Sequence, residues 1–233
     1  MMTPYVLYGA LLILIVYIIV MKRRATRDGS AIERFLEFIH IPKNAGTTIE
    51  NIAHENGMRW GRFNPDDRNF VTEGNCTYWH IPPKYYKPGS KYEKDETFCV
   101  IRNPYDRMVS EYAYRHKGDP SKDNASDMNQ WLFKHMNESY VKKGKLNCHF
   151  IPQSEYVNGS YGMRTCDHPL RFENLTSEFN ALMREKNVNL VMPENKKDNK
   201  SNFSLTANDI DPENRRLIAE YYKDDISLWN SLS

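Results

Sequence analysis

The sequence lacks the charge imbalance that marks many nucleic-acid-binding proteins. Its 32 lysines and arginines are almost matched by 30 aspartates and glutamates, and the formal net charge is +2. No nucleic-acid footprint is therefore present. Internal repeats and low-complexity blocks are also missing. A chain of 233 residues with these properties is predicted to form one domain with a substantial core.

Cysteine is scarce, and no cluster of side chains with metal-ligand spacing is found, so no metal site is predicted. The four cysteines allow disulfides without requiring them. Cys148 and Cys166 bracket a loop-rich region and are predicted as the best pair. Cys99 lies in an apolar strand and is predicted to be a free packing residue.

One long uncharged apolar run is present, at residues 5–21. As a helix it would span about 25 Å, which is enough to cross a bilayer. No small-residue cleavage site follows, which favours a signal anchor over a cleaved signal peptide. The predicted organisation is a tail at 1–4, a transmembrane anchor in the lipid bilayer at 5–21, a polar stem at 22–33 and a globular domain at 34–233.

Two patterns disagree about the side of the membrane on which this domain lies. The positive-inside rule places Lys22, Arg23, Arg24 and Arg27 in the cytoplasm, and with them the globular domain. Seven N-x-[ST] triplets, a modest excess over chance, favour the lumen instead. They begin at Asn75, Asn124, Asn137, Asn158, Asn174, Asn199 and Asn202.

The most informative stretch is residues 35–52, where an apolar β-rich segment ends at Pro42. Lys43 follows, then Asn44, Ala45 and Gly46, and then hydroxyl residues at a helix start. The helix is expected to be capped by Thr47 or Thr48 and to continue with Ile49, Ile52 and Ala53 at helical spacing. Free backbone N–H groups at a helix start bind anions, and glycine allows close approach. The stretch therefore predicts a phosphate-binding loop. It is not a Walker A loop, because the lysine precedes the glycine.

A second strand-to-helix junction lies at residues 97–114. Arg102 is placed at the carboxyl end of the strand, Asn103 and Pro104 are predicted as N-cap and first helical residue, and Ser110 lies about two turns into the helix. Strands that alternate with helices predict an α/β fold with an open, mostly parallel sheet covered on both faces. Ligands of such sheets bind beyond the carboxyl ends of the strands, where Lys43 and Arg102 both fall.

The order P-K-x-x-G-T-T resembles the 5′-phosphosulfate loop, and R-N-P-x-x-R-x-x-S the 3′-phosphate motif, of membrane-anchored carbohydrate sulfotransferases. That resemblance implies a P-loop NTPase-like fold and 3′-phosphoadenosine 5′-phosphosulfate as co-substrate. It implies a glycan hydroxyl as acceptor and a lumenal domain in the Golgi. It further implies donor binding by residues 43–48 (Lys43, Asn44, Ala45, Gly46, Thr47 and Thr48) and by Arg102 and Ser110.

For the general base we predict His80, at a likely strand end between the two motifs, where related enzymes place a histidine. Glu50 and His54, four residues apart on the helix after the loop, are the alternatives. His40 is expected to pack under the loop. The predicted acceptor side comprises His149, Gln153 and Tyr156, and Lys200 or Ser201 is predicted to close over the 3′-phosphate.

Two other functions remain open at this point. A nucleotide kinase could use the same loop, but it would need a serine or threonine directly after the lysine, where Asn44 stands. A membrane-anchored binding module that has lost catalysis would keep nucleotide binding without transfer.

Overall fold

The fold was analysed in a computed structural model that describes residues 35–64, 76–137, 147–158, 165–194 and 202–232. The predicted tail, membrane anchor and stem lie outside these residues. None of the helices in the described ranges is long and apolar enough to cross a membrane.

Three parallel strands form the sheet, in the order β1-β2-β3. They are β1 (Leu36–Ile39), β2 (Glu96–Ile101) and β3 (His168–Arg171). Phe38 of β1 lies opposite Phe98 of β2, which in turn lies opposite His168 of β3. The apolar β1 and β2 are almost wholly buried, as expected for parallel strands covered on both faces.

Eight helices of four or more residues lie within the described ranges. They are α1 (Gly46–Glu55), α2 (Lys91–Lys94), α3 (Pro104–Arg115), α4 (Ala125–Asn137), α5 (Ser154–Val157), α6 (Leu175–Glu185), α7 (Pro212–Tyr221) and α8 (Lys223–Ser231). The predicted α/β class is thereby confirmed as a small parallel sheet flanked by helices.

Each face of the sheet has its own apolar cluster. On one face Phe38 and Phe98 pack against Ile49 of α1 and Phe179 of α6. The other face, with Ile39, Cys99 and Ile101, is covered by residues 81–92, 148–157 and α8. A third cluster joins α3, α4 and α7. Alternate strand residues thus point to opposite clusters, as the pleat requires.

Several predicted boundaries were wrong. Helix α1 begins at Gly46, and its N-cap is Ala45 in the left-handed region (φ 62°), so neither Thr47 nor Thr48 caps it. The segment Tyr78–His80, predicted to end a strand, is a 3₁₀ helix, and so is Pro83–Tyr85.

The C-terminal helical segment is divided into two helices, α7 and α8. The break occurs at Tyr222, whose hydroxyl donates to the carbonyl of Phe150 at 2.9 Å. This buried contact fixes the end of α7 in the third cluster, while α8 turns to cover the sheet.

The predicted cysteine pairing was also wrong. Disulfides join Cys76 to Cys148 and Cys99 to Cys166, with Cα atoms 5.6 and 6.0 Å apart. Cys99 is therefore not free. Its strand, β2, runs beside β3, and Cys166 lies two residues before β3, so the sheet itself brings these two sulfurs together.

Candidate active site

The loop after β1 has an unusual backbone. Lys43 (φ 72°) and Ala45 (φ 62°) both adopt left-handed conformations without being glycine. Such conformations persist only where the surroundings enforce them, and they cluster at binding sites. The N–H of Thr48 donates to the carbonyl of Ala45 at 3.0 Å. The first-turn amides of Gly46 and Thr47 have no partner within the helix and are the ones left for an anion.

Asn44, which was predicted to bind the donor, is the residue that tethers this loop. Its side chain is buried, and Nδ2 donates to the carbonyl of Val100 on β2 and to Oε1 of Gln153, at 2.6 Å each. The backbone N–H of Asn44 donates to the carbonyl of Ile41 at 3.3 Å. Asn44 is absent from the cleft lining, because these contacts draw it beneath the loop.

Gly46 stands directly over the imidazole of His40. A Cβ at this position would overlap the ring, so no larger residue fits without displacing it. His40 is buried, and its Nδ1 lies 2.6 Å from Oε1 of Glu50. The prediction that His40 packs under the loop is confirmed.

Arg102 joins the second motif to the first. Its Nη1 donates to the backbone carbonyl of Lys43 at 3.1 Å, and its guanidinium lies over the ring of Phe172, 4.2 Å from the centroid. Gln153 holds its backbone, accepting from the N–H at 3.0 Å and donating to the carbonyl at 2.9 Å. Within the described residues, the buried Nε of Arg102 has no hydrogen-bond partner. An anion is the natural partner for such a donor.

Lys43 makes no salt bridge within the described part of the chain. Its ammonium lies over the ring of Tyr114, 4.0 Å from the centroid. Burial lowers the pKa of Lys43 to about 8, with Arg102, Arg115 and Lys117 adding to the shift and Glu111 opposing it. A bound phosphate would restore the charge that this environment disfavours.

These groups share one cleft of about 1380 Å³. Ser110 of α3 lines it, and Asn103 caps that helix by accepting from the N–H of Tyr105 at 2.9 Å, as predicted. The predicted site residues on its wall are Lys43, Ala45, Gly46, Thr47, Thr48, His80, Arg102 and Ser110. The cleft therefore brings together the predicted base and every predicted donor-binding residue except Asn44.

His80 lies on the same wall, between two other histidines. Its ring centroid is 4.5 Å from that of His40 and 5.3 Å from that of His149, and its Nδ1 lies 3.0 Å from Oγ1 of Thr77. Burial lowers the pKa of His80 well below 6.5, and the charges of nearby histidines, Lys43 and Arg107 lower it further. The imidazole is thus neutral at physiological pH and able to accept a proton.

The alternative bases are placed less well. Glu50 is buried at the cleft wall, where its Oε1 lies 2.6 Å from Nδ1 of His40 and accepts from the N–H of Arg62 at 3.1 Å, while its Oε2 lies 3.5 Å from Nε of Arg62. His54 is exposed and stacks on Phe63 with ring centroids 4.0 Å apart. It is not part of the cleft lining.

Of the three residues predicted on the acceptor side, one lies at the cleft. His149 lines the cleft. Gln153 and Tyr156 are fully buried, and the Tyr156 hydroxyl donates to the carbonyl of His80 at 2.8 Å. Gln153 and Tyr156 therefore support the cleft wall from the protein interior. Lys200 and Ser201 lie outside the described residues.

Two residues of α3 were missed. Arg107, the second arginine of R-N-P-x-x-R, is buried and donates to three carbonyls, those of Pro42, His149 and Ile151, at 3.0 to 3.2 Å. Glu111 is buried and lies 2.7 Å from Nδ1 of His149. Four-residue spacing from Arg107 was the available signal, since it places both on one helix face.

No group of three His, Cys, Asp or Glu side chains in the described ranges is placed to hold a metal ion. The chain is an α/β protein in which a lysine-bearing strand–loop–helix faces an arginine at the end of the next strand. Residues 33–230 match the model of the sulfotransferase family, and the chain belongs to that family. Neither the curated proteins nor the solved structures give a significant match.

Proposed function

We propose that this sulfotransferase moves a sulfuryl group from 3′-phosphoadenosine 5′-phosphosulfate to a hydroxyl of a carbohydrate. The observation that carries the proposal is the hydrogen bond from Arg102 to the carbonyl of Lys43. It joins two anion-binding groups at the rim of one cleft, as a donor with phosphates at two positions requires.

The residues present fit this donor. The ammonium of Lys43, together with the first-turn amides of Gly46 and Thr47, would hold the 5′-phosphosulfate. Arg102, with its unpartnered Nε, and Ser110 would hold the 3′-phosphate. Lys43 would also stabilise the negative charge that develops on the leaving nucleotide.

His80 serves as general base in this proposal. As the hydroxyl oxygen bonds to sulfur, the bond from sulfur to the phosphate oxygen breaks, and the hydroxyl proton moves to His80. A neutral imidazole on the cleft wall suits that step. Lys43 and Arg102 are already in position in the folded protein. They therefore stabilise the transition state without rearranging as negative charge develops on the leaving nucleotide.

The lumenal placement is also proposed. Two disulfides tie the domain together, and disulfides form and persist in oxidising compartments such as the secretory pathway. Exposed Asn158 and Asn202 begin N-x-[ST] triplets, which agrees with that compartment. With residues 5–21 as anchor, the domain would face the Golgi lumen, against the positive-inside rule.

Incubation of the full-length protein in detergent with ³⁵S-labelled donor and a panel of glycans tests the proposal. We expect label on at least one glycan and none when γ-labelled ATP replaces the donor. Transfer from ATP would favour the kinase. Tight binding of adenosine 3′,5′-bisphosphate without transfer to any glycan, protein tyrosine or lipid would favour the binding module.

A further inference from the structure

A buried carboxylate stands behind one histidine of the cleft. Oε2 of Glu111 lies 2.7 Å from Nδ1 of His149, and Oε1 accepts from Nε of Arg115 at 2.7 Å. Burial by itself would raise the pKa of Glu111, but the hydrogen bond from His149 and the charges of His149 and Arg115 outweigh it and lower the pKa. Glu111 is thus ionised at neutral pH and can only accept. Nδ1 of His149 therefore carries the hydrogen, and Nε2 is left as the basic nitrogen.

His80 has the opposite surroundings. No carboxylate hydrogen-bonds to it among the described residues, and the charges that act on its pKa are those of other histidines, Lys43 and Arg107. A proton placed on His80 is therefore poorly retained. Its ring meets that of His149 nearly perpendicularly (86°), with centroids 5.3 Å apart. Direct transfer, or transfer through one water, is feasible at that range.

We propose that His149, backed by Glu111, receives the proton that His80 removes from the acceptor hydroxyl. This inference rests on the proposed function and adds a step to it. The hydroxyl proton moves to His80 as the oxygen–sulfur bond forms and the electron pair of the broken bond leaves with the nucleotide. The same proton then moves from His80 to Nε2 of His149. His80 returns to neutral imidazole, and the imidazolium of His149 is stabilised by the carboxylate of Glu111.

Several other groups face His149. Tyr114 stacks on its ring, with centroids 5.6 Å apart, and Arg107 donates to its carbonyl. Among the described residues, the titratable and charged groups at His149 or at its direct partners are Glu111, Arg115, Tyr114 and Arg107 from α3, His80 from the 3₁₀ helix, and Lys43, which reaches Tyr114 from the loop. Glu111 is the only carboxylate of this set, so its removal is the sharpest perturbation.

The chain supplies a matched control. His168 lies 2.6 Å from Oε1 of Glu96, which is the same imidazole–carboxylate contact, but neither residue lines the cleft. The variants are His149→Asn, Glu111→Gln and His80→Ala, the double variant His80→Ala/His149→Asn, and the controls His168→Asn and Glu96→Gln. Each is made in the full chain and assayed with labelled donor and the panel glycan that the wild type sulfates best.

If the proton passes from His80 to His149 in series, the kcat values of the variants follow a distinctive pattern. We expect His149→Asn to lower kcat by about 100-fold and the double variant to be no slower than His80→Ala alone. Glu111→Gln should lower the plateau of kcat and move its acid limb to lower pH, because the carboxylate that lies 2.7 Å from Nδ1 of His149 and stabilises the imidazolium is removed. The controls should stay within about twofold of wild type.

Wild-type kcat in His149→Asn would overturn the inference, and so would losses that multiply in the double variant, which would mean independent roles. A lower plateau with an unmoved acid limb in Glu111→Gln would reduce Glu111 to a structural residue and overturn it as well. If the wild type sulfates no glycan, the proposed function itself falls, which is a separate result from any of these.

Discussion

Nη1 of Arg102 donates to the backbone carbonyl of Lys43 at 3.1 Å, across 59 positions of sequence. β1 and β2 are neighbouring parallel strands, so their carboxyl ends lie at the same edge of the sheet. Gln153 strengthens the link from beneath, since it bonds both Asn44 and the backbone of Arg102. The two motifs are therefore joined in one unit, the proposed binding site for the phosphates of the donor, and the residues of this unit can be tested separately.

The first prediction concerns Arg102. Arg102→Ala should remove most of the preference for a 3′-phosphate, because a charge-assisted hydrogen bond contributes roughly 1.5–3 kcal/mol, or about 10- to 100-fold in affinity. Calorimetry should compare adenosine 3′,5′-bisphosphate with adenosine 5′-phosphate. Arg216→Ala, at an exposed surface ion pair, is the control. An unchanged ratio of the two affinities in Arg102→Ala would place the 3′-phosphate elsewhere.

The second prediction is a pH dependence from Lys43. With a pKa of about 8, Lys43 is charged below that pH and neutral above it, so kcat/KM should fall as pH rises through about 8. In the complex the donor phosphates raise the pKa, so the basic limb of kcat should lie higher. Lys43→Ala should abolish transfer and leave the unfolding midpoint nearly unchanged. The exposed Lys87→Ala serves as control. Full transfer by Lys43→Ala would refute the assignment.

A third prediction separates binding from proton removal. His80→Ala should lower kcat by about 100-fold or more, within the range for general bases, while the affinity for adenosine 3′,5′-bisphosphate changes little. His54→Ala, an exposed histidine on α1, is the control. Equal losses of kcat and nucleotide affinity in His80→Ala would indicate a structural role and return attention to Glu50.

Both motifs could be predicted from the sequence because their signals are local. Pro42 lies in the turn between β1 and α1, and Asn103 with Pro104 begins a helix, so a few neighbouring residues fix each junction. Parallel pairing then places the two junctions at one edge of the sheet, and the cleft follows. These steps need no information about distant contacts.

Long-range contacts explain what the sequence could not reveal. Asn44 resembles a ligand-binding loop residue, but its amide is drawn inward by Gln153, 109 positions away. Gln153 looks like a polar loop residue and is buried because its side chain bonds both the side chain of Asn44 and the backbone of Arg102. Cysteine pairing depends on which loops cover one face of the sheet, and the spacing of the four cysteines does not encode that arrangement.

The fourth prediction compares two glycines with positive φ. At Gly61 (φ +52°) a Cβ would overlap the carboxylate of Glu50, whereas at Gly57 (φ +80°) nothing lies within 4 Å. Gly57→Ala should cost about 1–2 kcal/mol for backbone strain alone. Gly61→Ala should cost more than about 3 kcal/mol, since a buried carboxylate must also move. Urea unfolding measures both. Equal losses would show that Glu50 is free to move, against its contacts with His40 and Arg62.

The last prediction uses the two disulfides as a matched pair. They close segments of similar length, 72 and 67 positions, so the loss of either should cost a similar stability, about 4 kcal/mol on chain-entropy grounds.

The positions of the two disulfides differ, however. Cys148 precedes His149 directly and Cys76 lies four residues before His80, whereas Cys99 and Cys166 join β2 to the start of β3. At a temperature where both variants remain folded, Cys76→Ala/Cys148→Ala should lose kcat by about tenfold or more, because the two histidines are no longer held at a fixed distance. Cys99→Ala/Cys166→Ala should keep kcat within about twofold of wild type, because loss of the Cys99–Cys166 disulfide leaves the distance between His80 and His149 unchanged. Equal kcat in the two folded variants would mean that Tyr156, through its bond to the carbonyl of His80, holds the histidines without the disulfide.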